Sequence, residues 1–319
     1  MPATECCKPI SVFLVRHGER ADELLKLKGI QVPREDKLDP FLSSRGYEQA
    51  RDSLSILIEC MNKEGTARKI GVFCSPMRRT CGSALMLSAT DITSYPALEW
   101  GFRGSVDDNT IPVIVLNGLS TCATQVKKQG PINKLVQEGK IPCADCPAND
   151  GSLQGPMVMA ARSMLRHQPV YDCSYLPYGW VQFCSIEAKT GIVAPMAPRM
   201  STAKIDATMI PVVNATAENL ILQDLPTEQD SWRDSLNLGI QWADVEGCNT
   251  VIFLAHREAI LGLLDICGQS MESSLVSTPH CCIGSFVAIS TGEGKVRWQA
   301  HSVVDYNSFD VGMIPGAVE

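Results

Sequence analysis

Arg16, His17 and Gly18 close an apolar run, "SVFLVRHGER", that would otherwise read as one buried strand. Two similar junctions recur. "KIGVFC" runs into "SPMRRT" with Arg79, and "TVIFLA" ends at His256. Two arginines and two histidines delivered by strand ends would make a small, strongly positive pocket in an acidic chain. A phosphoryl group suits it, because each guanidinium presents paired N–H donors to phosphoryl oxygens. A neutral imidazole is also a competent nucleophile toward phosphorus once its other ring nitrogen is held by a hydrogen bond. His17 is the expected nucleophile and His256 the expected stabiliser of charge on the equatorial oxygens. Gly18 is expected to let backbone and phosphate approach closely. The leaving oxygen needs a proton, and "PALEWGFRG" offers Glu99; Glu19 and Asp22 are the rival donors, being near His17 in sequence.

The elements that must position these residues alternate. Ile10 to Val15 is a β-branched run expected of a strand covered on both faces. "LSSRGYEQARDSLSILIECMNKEG" puts Ala50, Leu54, Leu57, Ile58 and Met61 on one helical face, with Ser43 or Ser44 as cap and Gly65 as stop. A strand at "KIGVFC" is followed by a helix from near Met77. Trp232, Leu236, Ile240 and Ala243 mark a further helix after the capping-box-like "TEQD", and "TVIFLA" follows as a third strand. "CIGSFVAIS" and "VRWQAHSVV" read as an antiparallel pair joined by a Gly-containing turn. The pattern predicts a single α/β domain over 1–319 with a mostly parallel sheet, its ligand beyond the strands' carboxyl ends. Residues 104–226 give a weaker signal, with "GPMVMAARSMLRHQ" as the one clear helix, and are expected to be an insertion that caps or flanks the site.

Composition narrows the function classes. The chain has 319 residues, 45% of them apolar, and a net charge of −7 with a sequence pI near 5.3. That argues against nucleic acid, which needs a basic surface. There is no apolar stretch of membrane-spanning length and no hydrophobic signal core in "MPATECCKPI", so the expectation is a cytoplasmic protein without a membrane partner. The fourteen cysteines are scattered through apolar segments and are expected to be reduced. Cys143 and Cys146 have half-zinc-site spacing, with Cys122, His167, Cys173 and Cys184 as the other candidates, but no second C-x-x-C pair occurs and no metal is expected. Cys74 and Arg79 are separated by four residues, one fewer than a cysteine-dependent phosphatase loop requires. His280 and His301 are expected to be structural.

The chain resembles the histidine phosphatase superfamily, the phosphoglycerate-mutase-like fold. "LVRHGER" is similar to the nucleophile motif, "DPFLSSRGYEQA" to the helix entry, "CSPMRRTCGSA" to the S-P-x-x-R motif and "FLAHRE" to the second-histidine strand. The resemblance covers roughly residues 8 to 103 and 227 to 305. It implies a three-layer αβα fold in which His17 is phosphorylated, Arg16, Arg79 and His256 form the phosphate pocket, and Glu99 is the acid, with no cofactor. "VRHGERAD" with "ALEW" most resembles the suppressor of T-cell receptor signalling (TULA-type) phosphatase domains, which implies Arg20 as a further pocket residue. Arg257 departs from the Gly common in the superfamily. Glu19, Arg20, Ala21 and Asp22 replace the x-S-x-W-N of the cofactor-dependent mutases.

The resulting expectation is a phosphomonoester hydrolase acting through phosphohistidine on a small-molecule phosphate ester or a phosphoprotein. A phosphoglycerate-type mutase and a non-enzymatic phospholigand-binding scaffold are the alternatives. Selectivity is expected in the insertion, where Tyr175, Tyr178 and Trp180 are candidates for contact with the leaving group, and a homodimer is the assembly to test.

Overall fold

The fold is that of a computed structural model describing residues 8–29, 40, 42–75, 77–90, 92–101, 110–116, 119, 180–186, 193–195, 228–269, 278–291 and 295–315. The apolar run around Ile10 forms β1 (Pro9–Arg16), one residue longer at each end than expected. β1 pairs in parallel with β7 (Thr250–Ala255), which pairs in parallel with β2 (Arg68–Cys74). β2 pairs in parallel with both β3 (Leu98–Trp100) and β4 (Thr110–Val115), and β4 with β5 (Trp180–Ile186). Three antiparallel pairings complete the sheet. β6 (Val193–Pro195) closes one side against β5, while β8 (Ile283–Ser290) joins β1 to β9 (Val296–Val304) on the other. The described strands thus form one mixed, mainly parallel sheet in the order β6-β5-β4-β2-β7-β1-β8-β9, with β3 beside β2.

The strands alternate between two apolar layers, as side-chain period 2 requires. Phe13, Val15, Val72, Cys74, Ile252 and Leu254 face one layer; Val12, Leu14, Phe73, Val251 and Phe253 face the other. The first layer is covered by α2 (Ser44–Glu64) and α3 (Arg78–Leu85), the second by α4 (Glu228–Val245) and α5 (Arg257–Ile266). A short α1 (Ala21–Leu27) follows the first strand-end loop. This is the expected three-layer arrangement.

The cap and stop of α2 fall as the sequence indicated. Ser43 Oγ accepts from Gly46 N–H, and Gly65 ends the helix at φ +79°, where a side chain would be strained. Ala50, Leu54, Leu57, Ile58 and Met61 are all buried. In α4, Leu236, Ile240 and Ala243 are buried while Trp232 is only partly so. The helix from Met77 is α-helical to Leu85 and tightens to 3₁₀ over Met86–Ala89.

The 104–226 segment is not wholly an insertion. β4, β5 and β6 come from it and extend the central sheet on the side away from β1. Their β-branched runs, "TIPVIV" and "WVQFCSI", carry the same signal as β7. The helix expected at "GPMVMAARSMLRHQ" and the Cys143/Cys146 pair lie outside the described residues, as do Tyr175 and Tyr178. No helix among the described residues is long and apolar enough to cross a membrane.

Candidate active site

Parallel register places the strand ends together. Arg16 pairs with Ala255 and Cys74 with Leu254, so Arg16–His17, Ser75 and His256 leave the sheet at one level. Backbone bonds fix the exits: His17 N–H donates to Ala255 O at 3.2 Å, and Ser75 N–H to Leu254 O at 3.0 Å. His17, Arg79 and His256 are 4%, 2% and 2% exposed, an unusual degree of burial for charged or polar side chains. The two imidazole centroids are 5.4 Å apart.

His17 Nδ1 lies 2.8 Å from Gly18 O. A carbonyl only accepts, so Nδ1 carries the proton and the Nε2 lone pair is left for chemistry. Burial, then the positive charge of Arg79, then His256, hold the His17 pKa well below the ordinary histidine value. Burial and the charges of Arg79, Arg16 and Arg20 do the same to His256. Both rings are therefore neutral at pH 7 inside a positive field. His256 Nε2 meets Ser75 Oγ at 2.9 Å, and its Nδ1 is buried with no partner among the described residues. If the serine hydroxyl donates to Nε2, Nδ1 bears the proton and stands ready to donate. Arg16 donates through one terminal nitrogen to Thr278 O, while its buried Nε has no partner among the described residues.

Arg20 lies beside this group, its charge felt at His256, but its guanidinium is bidentate to Asp22 at 2.8 and 2.7 Å. That settles one rival acid. Burial pushes the Asp22 carboxyl up, yet bonds from Arg20 and Lys26 outweigh it and hold the group low, so it has no proton to give. Glu19 is turned to α2: its Oε1 accepts from Ser43 Oγ at 2.8 Å, and its Oε2 is 3.9 Å from Arg45.

One expectation needs correction. The structure does not bring Glu99 to the pocket. Glu99 is exposed and in register with Lys69, near the start of β2. Five residues at about 3.3 Å each separate Lys69 from Cys74, placing Glu99 roughly 16 Å from the strand ends that carry the site. Gly18, expected to admit phosphate, also has a packing reason to be glycine. A Cβ there would sit 2.1 Å from Gly46 O, and one on Gly46 would sit 2.2 Å from Glu19 O. The two glycines let the R-H-G turn lie directly against the first turn of α2, and Gly18 N–H is already engaged by Ser83 Oγ at 3.3 Å.

The sequence missed a group delivered by β8. Because β8 runs antiparallel to β1, with Val15 opposite Ile283, the residues preceding β8 arrive at β1's carboxyl end. They bring Thr278 to Arg16 and His280 to within 5.9 Å of His17, ring centroid to centroid. Cys281 follows at φ +58°, a region rare for a residue other than glycine. It is pinned there by its N–H bond to His17 O (3.3 Å) and by Ser53 Oγ on its carbonyl (3.1 Å). Pairing β8 with β1 as well as β9 would have exposed this juxtaposition.

No protein-family model matches the chain, and no curated protein matches it. Among solved structures, the ecdysone phosphate phosphatase of Bombix mori in complex with tungstate is similar at 13% identity over 97% of this chain and 95% of that one, with a TM-score of 0.39. A phosphoglycerate mutase from Bacillus anthracis is similar at 10% identity, 96% of each chain and a TM-score of 0.38. A mycobacterial glucosyl-3-phosphoglycerate phosphatase is similar at 14% identity, 93% of this chain, 99% of that one and a TM-score of 0.33. Likenesses this faint decide nothing about activity. The side chains at the strand ends must carry the functional assignment.

Proposed function

We propose that the protein is a phosphomonoester hydrolase that forms a phosphohistidine at His17. The observation that carries this reading is the state of His17 itself: a buried imidazole kept neutral, with Nδ1 committed to Gly18 O, beside two arginines and a second neutral histidine. That combination supplies a nucleophilic nitrogen and a positive environment for a dianion. Nε2 attacks phosphorus as the P–O bond to the leaving group breaks. Arg16 and Arg79 take up the equatorial oxygens, and His256, oriented by Ser75, donates from Nδ1 to the charge spreading over them. Arg20, anchored by Asp22, adds charge at the rim. Water then attacks the phosphorus, releasing phosphate and restoring neutral His17.

The substrate class is a small phosphate ester. The closeness to TULA-type domains is supported by "VRHGERAD" and "ALEW" as sequence. A cytoplasmic setting is supported by the free, buried thiols of Cys74, Cys81, Cys281 and Cys282. The test is hydrolysis of p-nitrophenyl phosphate by wild type and His17→Ala without added metal, with alkaline denaturing quench of enzyme reacted with the 32P-labelled ester to trap acid-labile phosphohistidine. Turnover that vanishes in the variant together with the labelled histidine is the expected result. An inert wild type, or a His17→Ala protein that keeps its rate, overturns the reading.

A further inference from the structure

With Glu99 at the wrong end of the sheet, Asp22 ionised and Glu19 turned to α2, none of the three expected carboxylates offers a proton at the strand ends. His280 lies where one is needed: 5.9 Å from His17, 20% exposed at its side chain, in a turn held by the left-handed Cys281. Its Nε2 is 3.2 Å from Glu23 Oε2 on α1. The contact is an ion-pair approach without hydrogen-bond alignment, since Nε2 is left without a properly directed acceptor. Glu23 is in turn 3.6 Å from Arg20. The contact with His280 comes first among the causes that hold the Glu23 carboxyl below its ordinary value, against the opposing effect of burial. Glu23 is therefore an anion set 3.2 Å from Nε2 of His280, the place a carboxylate takes beside a general-acid histidine.

We propose that His280, positioned by Glu23, is the general acid and base of the phosphoryl-transfer cycle, an inference that rests on the phosphatase reading of His17. As the Nε2–P bond forms at His17 and the ester P–O bond breaks, the departing oxygen takes the proton from Nδ1 of His280. Neutral His280 then accepts a proton from the water that attacks phosphohistidine. The N–P bond breaks, inorganic phosphate leaves, and both histidines return to their starting states. Glu23 touches no reacting atom and is a positioning residue.

The dependence on leaving group separates this role from a tether between α1 and the β8 loop. Phenolate, with a pKa of about 10, needs a proton as it departs, whereas dinitrophenolate does not. Wild type, His280→Gln, Glu23→Gln and Glu99→Gln are assayed on phenyl phosphate and 2,4-dinitrophenyl phosphate, with urea midpoints measured for each. His280→Gln is expected to lower kcat on phenyl phosphate by about 10²- to 10³-fold and on the dinitrophenyl ester by less than about tenfold. Glu23→Gln should show the same selectivity at smaller amplitude, which a merely structural loss would not produce. Equal losses on both esters, no loss on either, or the selective loss appearing in Glu99→Gln instead would each overturn the role of His280 while leaving phosphohistidine chemistry standing. A wild type inert on both esters overturns the phosphatase reading and the role of His280 with it.

Discussion

Lowering the pH from 7 to 5.5 should destabilise the protein by an amount that the two buried histidines set. His17 and His256 are neutral in the fold because burial, and then Arg79, disfavour their imidazolium forms. In the unfolded chain each titrates near 6.5. A folded pKa below the unfolded one means that the unfolded state binds more protons, so stability is full above about 6.5 and declines from there down to the folded value. Across pH 7 to 5.5, each histidine still neutral in the fold contributes a loss of about 1.2 kcal/mol, or about 2.5 kcal/mol for the pair. At about 2.1 cal/mol/K per residue, that lowers Tm by about 4 °C. Asp22 and Glu23 are held low and lose their contributions only as pH falls through the carboxylate range, below this window. Urea unfolding at both pH values, in buffer free of phosphate, compares wild type with His17→Asn and His256→Asn. Each variant should remove about half of the pair's pH-dependent loss. A wild type equally stable at both pH values, or variants with unchanged pH dependence, would refute buried neutral histidines and with them the nucleophile's readiness.

Gly18→Ala pushes a methyl group against Gly46 O at 2.1 Å, a backbone atom that cannot swing aside. Overpacking of this kind costs about 1–3 kcal/mol, and the displaced R-H-G turn should reduce aryl phosphate turnover; urea midpoints and kcat measure the two effects. Arg79→Lys keeps the charge and loses the planar pair of donors, so kcat should fall about 10²-fold while the acid destabilisation just described persists. Retained kcat would mean that charge alone suffices at that position.

The meeting of Arg16, His17, Arg79 and His256 was legible in the sequence because it is local. Arg16 and His17 adjoin β1, His256 caps α5, and Arg79 lies in the first turn of α3, so recognising three strands was enough to gather them. The placement of Glu99 and His280 was not legible because it depends on register. Glu99 reads from the sequence as following a strand, but it lies within β3, which aligns with the beginning of β2, and no one-dimensional pattern states that offset. His280 depends on β8 joining the sheet at β1 as well as at β9, a pairing between segments about 270 residues apart. The strands of the 104–226 segment failed for another reason. "TIPVIV" has the right composition but sits amid polar sequence, which drew attention away from a run as strongly β-branched as β7.

The electrostatics of the empty pocket and its chemistry are two sides of one arrangement. Arg79 is almost fully buried, and the same charge that would hold a phosphoryl oxygen repels a proton on His17 and on His256. Arg16, Arg79 and Arg20 concentrate positive charge around the two rings, and burial makes such charge more costly than on a surface. The arrival of a dianion shifts the balance, because it adds negative charge among the arginines and an acceptor for the buried Nδ1 of His256. A phosphohistidine at His17, as proposed, would keep that benefit, since the phosphoryl group would stay in the pocket when its ester bond is exchanged for the bond to Nε2. Neutrality before binding is thus what burial, and then the surrounding cations, impose, and it is also the state a nitrogen nucleophile requires. A substitution that relaxed the pocket by neutralising Arg79 would let His17 take up a proton more readily and blunt the nucleophile, so stability gained there should come at the expense of turnover.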